Sequence, residues 1–457
     1  MKIDISQYIK SLSVAVDYAE KALAKEVSLY IAPGHGIRVA VMTNRMAAQV
    51  GLDEETMRLI TQAALLHDCA VAEYLGDEFK ANGQSSFESG MTAHCTAGEN
   101  MLKKLPGYEK IPAAVLYHHE CADGSGAFGL RAEETPIYAQ LIHLADSIDV
   151  MFSLDYCDAE KYESMHSWIS DNTGTLFSKD CADAFLKGVD LSLLKSLSSD
   201  KAGDLYDEIL PRKTVDISIG LLREMSSVFA EITDYKSHFT WRHSMGIAEK
   251  AETMGRYYAL ADEDCSKLYI AGALHDIGKL LISNDILEKP GRLSSDEYRE
   301  IQNHALGTWN LLKGISGLED ITLWAALHHE KLDGSGYPFG YTGEKLDKNS
   351  RLLACLDIYQ ALVEDRPYKS GMSHTAAMAI LKKMGNDGQL DTDIISDIDS
   401  CFASSEDTAQ DKVEKEKVIP QASGYRCPIC GYFLEGELPD DFICPQCEQP
   451  GSIFEKI

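Results

Sequence analysis

His328-His329-Glu330-Lys331-Leu332-Asp333-Gly334-Ser335-Gly336-Tyr337-Pro338 places two adjacent histidines before an acid and a Gly-Ser-Gly turn. Adjacent imidazoles suit neighbouring metal ions, because side chains one residue apart diverge by about 100° on a helix. The glycines let backbone approach a ligand closely. The same pattern stands earlier as His118-His119-Glu120-Cys121-Ala122-Asp123-Gly124-Ser125-Gly126-Ala127-Phe128. The chain holds two copies of something, and the copies differ.

Counting outward from the two copies gives a register. His35 matches His243, and His67-Asp68 matches His275-Asp276, at an offset of 208. His94 matches His304, and His118-His119 matches His328-His329, at 210; Asp146 matches Asp357 at 211. Ten of the 14 histidines belong to this pattern. Neutral imidazoles and carboxylates are ligands for divalent Fe, Mn, Zn, Ni or Co, and five histidines with two aspartates exceed what one tetrahedral ion needs. An aspartate beside a histidine can bridge two ions. Two-metal sites activate a water and stabilise the attacking and leaving oxygens of a phosphoester. A single His-Asp pair could be an internal hydrogen bond; an ordered set found twice calls for a shared chemistry.

The bulk numbers agree. A length of 457 residues suggests roughly three domains. With 45% hydrophobic and 25% charged residues the composition is globular. A net charge of −29 argues against duplex nucleic acid as a partner. No long apolar run and no leader pattern at Met1 points to membrane or export, so the expected location is the cytoplasm. Residues 1 to 33 open with an amphipathic helix carrying Ile9, Leu12, Val16, Ala19 and Leu23. Helical spacing resumes at His35, with Gly51 as a stop and Asp53 as the next cap. Strand signals are scarce. Residues 150–235 read as helices joined by polar turns, among them Asp171-Asn172-Thr173-Gly174.

The second copy resembles the HD-GYP family, a subgroup of HD-domain phosphohydrolases that cleave cyclic dinucleotides. Its matching segments are ALHDIGK, ILEKPGRLSSDEYREIQNHALGT, HHEKLDGSGYPFG and CLDIYQALVEDRPYKSG, within 235–385. A weaker match covers 30–160. The resemblance implies an all-α fold of two tandem helical bundles with sites inside them. It implies His243, His275, Asp276, His304, His328, His329 and Asp357 as metal ligands of the second lobe. It implies a cyclic dinucleotide substrate, most often cyclic di-GMP. Lys279, one turn after His275, can neutralise phosphate or protonate a leaving alkoxide, with Asp276 as the other catalytic residue. Arg366 and Lys369 match the family's phosphate-holding residues, and Tyr337 with Gly336 would line the substrate pocket. Some members hold a third metal with a Glu one turn before the first histidine. Phe239 and Ile31 stand there, so two divalent metals per site are expected, Fe or Mn first, with Zn, Ni or Co also admitted.

The first lobe keeps His35, His67, Asp68, His94, His118, His119 and Asp146 as candidate ligands. It has Val71 where the lysine stood, Ala127-Phe128 for Tyr-Pro, and Asp155 near the arginine position. Cys69, Cys95 and Cys121 flank its ligands, either as small apolar residues or as thiols near a metal. This lobe is expected to be sensory or structural.

At the far end Cys427-x-x-Cys430 and Cys444-x-x-Cys447 make a four-thiolate site for one Fe or Zn. The segment resembles a rubredoxin-type module, a spacing that zinc ribbons share. The expected domains are 1–160, a helical connector 161–234, the catalytic lobe 235–404, a linker 405–423 and the metal-binding β module 424–457. The expected function is cyclic dinucleotide hydrolysis in the second lobe, redox-regulated through the tail, with a redox partner or a second copy as further partners. Three alternatives stand beside it: a non-catalytic metal sensor, a di-iron oxidase fed by the tail, and a hydrolase of another nucleotide.

Overall fold

The structure, a computed structural model, describes residues 1–26, 34–71, 87–198, 202–236, 240–287, 289, 291, 293–365, 370–403, 424–426, 433–435 and 455–456. Arg366, Lys369, Cys427, Cys430, Cys444, Cys447, Phe239 and Ile31 lie outside the described residues. The chain divides into two compact units, Met1–Ala354 and Cys355–Ile457.

The first unit begins with β1 (Lys2–Asp4), paired antiparallel with β2 (Thr214–Asp216) so that Ile3 faces Val215. Helix α1 (Ile5–Glu26) follows. Its stripe of Ile9, Leu12, Val16 and Ala19 is buried, as the spacing predicts. Tyr8 packs edge-on against Phe229 with centroids 5.1 Å apart, and the Tyr206 hydroxyl donates to the Ser6 carbonyl at 2.7 Å.

The first lobe continues with α2 (His35–Gln49), α3 (Glu54–Leu65), α4 (Phe87–Leu102) and α5 (Ile137–Phe152). Gly51 takes φ +76°, the left-handed value that ends a helix most cheaply at glycine. Asp53 caps α3, accepting from the N–H groups of Glu55 and Thr56 at 3.0 Å each. Helices α6 (Ala159–Asp171), α7 (Lys179–Gly188), α8 (Leu191–Leu197) and α9 (Ala202–Ile209) lead to β2 and α10 (Ile219–Lys236). The turn at Asp171–Gly174 is present, with Gly174 at φ +91°. Helix α7 packs on α2 so closely that a Cβ on Gly188 would lie 2.8 Å from the Arg45 carbonyl oxygen.

The second lobe repeats the order with α11 (Thr240–Tyr257), α12 (Asp262–Leu274), α13 (Ser295–Leu312) and α14 (Glu319–Ala326). Helix α10 packs on α12, and α1 packs on α2, α10 and α13. Thus α1 touches helices of both lobes, and the segment between the lobes is itself packed on the bundles it flanks. Ser294 and Glu297 form a reciprocal capping box at the start of α13.

Helix α15 (Lys348–Val363) carries Asp357, which belongs to the second unit. In that unit the Tyr359 hydroxyl donates to His374 Nδ1 at 2.8 Å, and His374 Nε2 donates to Asp399 at 2.9 Å. Near the C-terminus β3 (Gly424–Arg426), β4 (Phe433–Glu435) and β5 (Glu455–Lys456) form an antiparallel sheet in the order β4-β3-β5. Among the described residues no helix is long and apolar enough to cross a membrane.

One glycine sets how the His-Asp pair meets α13. Residues Ile277–Leu281 form a 3-10 turn lying on that helix. A Cβ on Gly278 would fall 1.9 Å from the His304 carbonyl oxygen. The Gly278 N–H donates to Thr308 Oγ1 at 3.0 Å, and that hydroxyl donates to the His275 carbonyl at 2.8 Å. The first lobe has Ala70 at the matching place. Gly278→Ala must therefore push the turn off α13. Overpacking of this kind costs roughly 1–3 kcal/mol, and urea unfolding of the variant should show a loss of that size.

Candidate metal centres

Three ligand histidines sit at the ends of helices rather than within them. His67 follows α3, which ends at Leu65; His275 follows α12, which ends at Leu274; His328 follows α14, which ends at Ala326. The last carbonyls of a helix lack intrahelical partners. Here the imidazoles take them. Nδ1 of His67 donates to Ala64 at 2.9 Å, His275 to Gly272 at 2.8 Å and His328 to Ala325 at 2.6 Å. Nδ1 of His118 also donates to Val115, and that of His304, within α13, to Ile301, both at 2.5 Å. A carbonyl can only accept, so Nδ1 carries the proton and Nε2 is left as the bare donor nitrogen.

The adjacent histidines do not diverge as helical neighbours would. The rings of His328 and His329 lie 4.0 Å apart at 46°, and those of His118 and His119 lie 4.0 Å apart at 41°. The reason is local: α14 has already ended at Ala326. Gly336 also has a role within its own loop. A Cβ on Gly336 would meet the Glu330 Cα at 2.5 Å, so it lets the loop close on its own backbone. The acid after the histidines holds that closure. Glu330 accepts the N–H groups of Phe339 at 2.7 Å and Tyr341 at 3.0 Å. Glu120 accepts those of Phe128 and Leu130 in the first lobe.

In the first lobe all seven expected ligands converge. Asp146 Oδ1 lies 3.4 Å from His35 Nε2 and 3.7 Å from His67 Nε2. Asp68 Oδ2 lies 3.6 Å from His67 Nε2, while its Oδ1 faces His94 Nε2 at 3.5 Å and His118 Nε2 at 3.4 Å. His119 completes a cluster with His94 and His118. One carboxylate thus faces two groups of imidazoles, one with each oxygen.

In the second lobe Asp276 holds the same place. Its Oδ2 lies 3.1 Å from His275 Nε2 and its Oδ1 lies 3.4 Å from His304 Nε2. His243 groups with His275 and Asp276, and His304 groups with His328 and His329. Lys279 Nζ donates to Asp276 Oδ2 at 2.6 Å. The continuous helix expected to carry the lysine is a 3-10 turn, and this shorter path brings it onto the aspartate. The Tyr337 ring lies 4.7 Å from that of His329 and borders an open cleft of about 710 Å³ with Arg299, Gln302 and Asn303. Asp357 is buried on α15, in the second unit.

Divalent ions fit these residues. The Nε2 atoms of His35, His67 and His118, Asp68 Oδ1 and His275 Nε2 are all buried with no hydrogen-bond partner. A buried polar atom without a partner costs about 1–3 kcal/mol; a shared ion removes that cost. Burial acts against the charge on Asp68, but the imidazoles of His67, His118 and His94 beside it hold its pKa well below the usual carboxylate range. Burial likewise opposes ionisation of Asp276, and His275 and Lys279 overcome it. Burial drives His304 down to about 4 against the pull of Asp276, so its imidazole stays neutral at physiological pH.

Sequence spacing missed three residues of the first lobe. His35 Nδ1 donates to Asp149 Oδ2 at 2.7 Å, and Arg38 donates to both oxygens of Asp149, Nε at 2.5 Å and Nη2 at 2.7 Å. The second lobe has Gly246 and Gln360 at those places, so the clamp belongs to one lobe. The available signal was Asp149 three residues after Asp146. The third is Glu20, buried on the stripe of α1 with Oε2 unpartnered. An acid at a stripe position was its signal. Burial pushes Glu20 up to about 8, against the pull of His35 and with repulsion from Asp68.

A bridging carboxylate among buried imidazoles, found twice in helical bundles, defines a metal-dependent hydrolase of the HD class. Family models described as "HD domain" match residues 34–151 and 227–394. The chain is 30% identical over 369 residues to a 3'3'-cGAMP-specific phosphodiesterase of Vibrio cholerae, covering 79% of this chain and 85% of that protein. It is 30% identical over 207 residues to a cyclic di-GMP phosphodiesterase of Pseudomonas aeruginosa, covering 45% and 48%. A crystal structure of a cyclic GMP-AMP specific phosphodiesterase from V. cholerae shares the fold, with TM-score 0.62 and 22% identity over 89% of this chain and 100% of that one. The chain belongs to the HD-domain family of cyclic dinucleotide phosphodiesterases. It is a phosphodiester hydrolase.

A carboxyl whose folded pKa is raised keeps its proton longer in the folded state, so stability falls as pH rises through the shift. For Glu20 that window runs from 4.5 to about 8. The metal-free Glu20→Gln chain should therefore be more stable than its parent, and the gain should grow between about pH 5 and about pH 8 in thermal denaturation. An equal difference at both values would remove burial of the charge as the cause.

Proposed function

We propose that the second lobe, within 235–404, carries the hydrolytic site and that its substrate is a 3'3'-linked purine cyclic dinucleotide. The observation that carries this assignment is Lys279 held on Asp276 at 2.6 Å. In the first lobe Val71 stands at that position and is buried. His243, His275, Asp276, His304, His328, His329 and Asp357 would hold two divalent ions. Bound there, such ions would activate a water and offset charge on the attacking and leaving oxygens.

The chain's own residues do the rest. Lys279 is a proton source and counter-charge beside the reacting phosphate. Tyr337 offers an aromatic face at the cleft for a purine base. Arg366 and Lys369 hold the phosphates. The choice of dinucleotide follows from coverage. An alignment of 369 residues must reach both lobes, and that relative is named for 3'3'-cGAMP. This favours 3'3'-cyclic GMP-AMP over the cyclic di-GMP that the motifs first suggested.

The first lobe, within 1–160, is proposed as a metal-holding regulatory partner. The tail at 424–457 is proposed to bind one Fe or Zn through Cys427, Cys430, Cys444 and Cys447 and to tie hydrolysis to redox state in the cytoplasm. The three-stranded sheet β4-β3-β5 is consistent with a small metal-folded module.

The test is hydrolysis of 3'3'-cyclic GMP-AMP and of cyclic di-GMP by anaerobically purified protein of measured metal content. His275→Ala should abolish turnover, by about 10²-fold or more, while His67→Ala should leave a substantial fraction. Equal loss in both would overturn the division between lobes, and faster turnover of cyclic di-GMP would overturn the substrate choice. A tail that binds only zinc, with activity indifferent to oxidation, would remove the redox link.

A further inference from the structure

One side chain in the first lobe's donor cluster has no counterpart in the second. Cys95 follows His94 on α4 and is fully buried. After His304 the second lobe has Ala305, also fully buried. The Cys95 Sγ lies 3.7 Å from His94 Nε2 and 3.7 Å from His118 Nδ1.

These two contacts differ in kind. His118 Nδ1 is already committed to the Val115 carbonyl, so the sulfur merely packs against it. His94 Nε2 is a nitrogen that faces the bridging carboxylate, with Asp68 Oδ1 at 3.5 Å. An ion bound at roughly 2.3 Å to sulfur and roughly 2.0 Å to nitrogen, with a tetrahedral angle between them, sets the two donors about 3.5 Å apart. The 3.7 Å from Cys95 Sγ to His94 Nε2 lies close to that spacing, and this nitrogen, unlike His118 Nδ1, is not committed to a carbonyl. A second observation points the same way. His94, Cys95, His118 and His119 each place a donor atom within 4.8 Å of the others, and the buried His118 Nε2 has no hydrogen-bond partner.

The other two cysteines beside first-lobe ligands are placed differently. Cys69 Sγ points at the Gly98 carbonyl at 4.0 Å and the Met101 sulfur at 3.8 Å. Cys121 is half-buried at the start of the Asp-Gly-Ser-Gly loop. Of the three, Cys95 alone has its sulfur among the imidazole nitrogens.

We propose that the first lobe holds a divalent ion through the thiolate of Cys95 together with the imidazoles of His94 and His119, which makes it a sulfur-containing site. This rests on the reading that the first lobe binds metal. On binding, the Cys95 S–H bond breaks, a sulfur–metal bond forms and the proton leaves to solvent; no electron is transferred. The expected ligands of the second lobe are nitrogen and oxygen only. A thiolate favours Zn(II), Fe(II) or Co(II) over Mg(II) and Mn(II). The two lobes then differ in which metal they retain, which is a means of keeping one loaded while the other exchanges.

The test uses Co(II) as the probe. The full-length chain, with Cys427, Cys430, Cys444 and Cys447 changed to Ser so that tail sulfur is silent, is stripped of metal and titrated with Co(II). Absorption spectra should show a sulfur-to-cobalt charge-transfer band that is lost in Cys95→Ala and kept in Cys69→Ala. Cys95→Ala should fold, since alanine fills the same place in the second lobe. With the tail cysteines intact, the difference between wild type and Cys95→Ala should show the same band. Cobalt bound in the first lobe without that band, or a band that survives Cys95→Ala, would overturn thiolate ligation. Stoichiometry and spectrum unaffected by His94→Ala and His67→Ala would overturn metal binding by the first lobe itself.

Discussion

The bond from five of the ten candidate ligand imidazoles to the carbonyl three residues before each is the constraint on which both sites depend. It recurs at His67, His118, His275, His304 and His328. It fixes the tautomer and aims Nε2 inward, and at His67, His275 and His328 it also satisfies a carbonyl that a helix end would otherwise leave open. At those three positions the bond comes where the helix has stopped. Extending α3 or α12 by one turn would place those carbonyls in the helical ladder. The 3-10 turn after His275, pressed onto α13 through Gly278, is the visible consequence.

The two lobes share that scaffold and differ in what surrounds it. The second lobe sets a lysine on its bridging aspartate and a tyrosine beside its di-histidine. The first lobe sets a valine and an alanine at those places. It gains instead the Arg38–Asp149–His35 clamp, the buried Glu20 and Cys95 among its imidazoles. An added buried carboxylate and a clamped imidazole raise ligand basicity; they do nothing for a substrate phosphate. The first lobe adds buried polar groups around its imidazoles, and the second sets a cationic and an aromatic group beside its own.

The repeated histidine and aspartate constellation was legible in residue order, because chance does not set these residues in one register at two places. The seven first-lobe positions that the register singles out lie together. The amphipathic stripe of α1, the stop at Gly51 and the cap at Asp53 were legible for the usual local reasons: period, left-handed glycine and side-chain capping. Spacing misled where it assumed continuous helix. His328-His329 and Lys279 lie beyond helix ends, so neither ring divergence nor the reach of the lysine follows a 3.6-residue period.

Sequence by itself determined the repeat, the repeated histidine and aspartate positions, the lobe that keeps a lysine and the helical class. These are properties of residue identity and local period. Only tertiary structure decided that Glu20 from the first helix faces the first site, that Arg38 clamps Asp149, and that Glu330 closes its own loop. It also separated Cys95, with its sulfur among donor nitrogens, from Cys69, which packs against a carbonyl. The physical reason is that such contacts join residues far apart in the chain or on different turns. Burial and direction, which no spacing rule carries, choose between a packed side chain and a ligand.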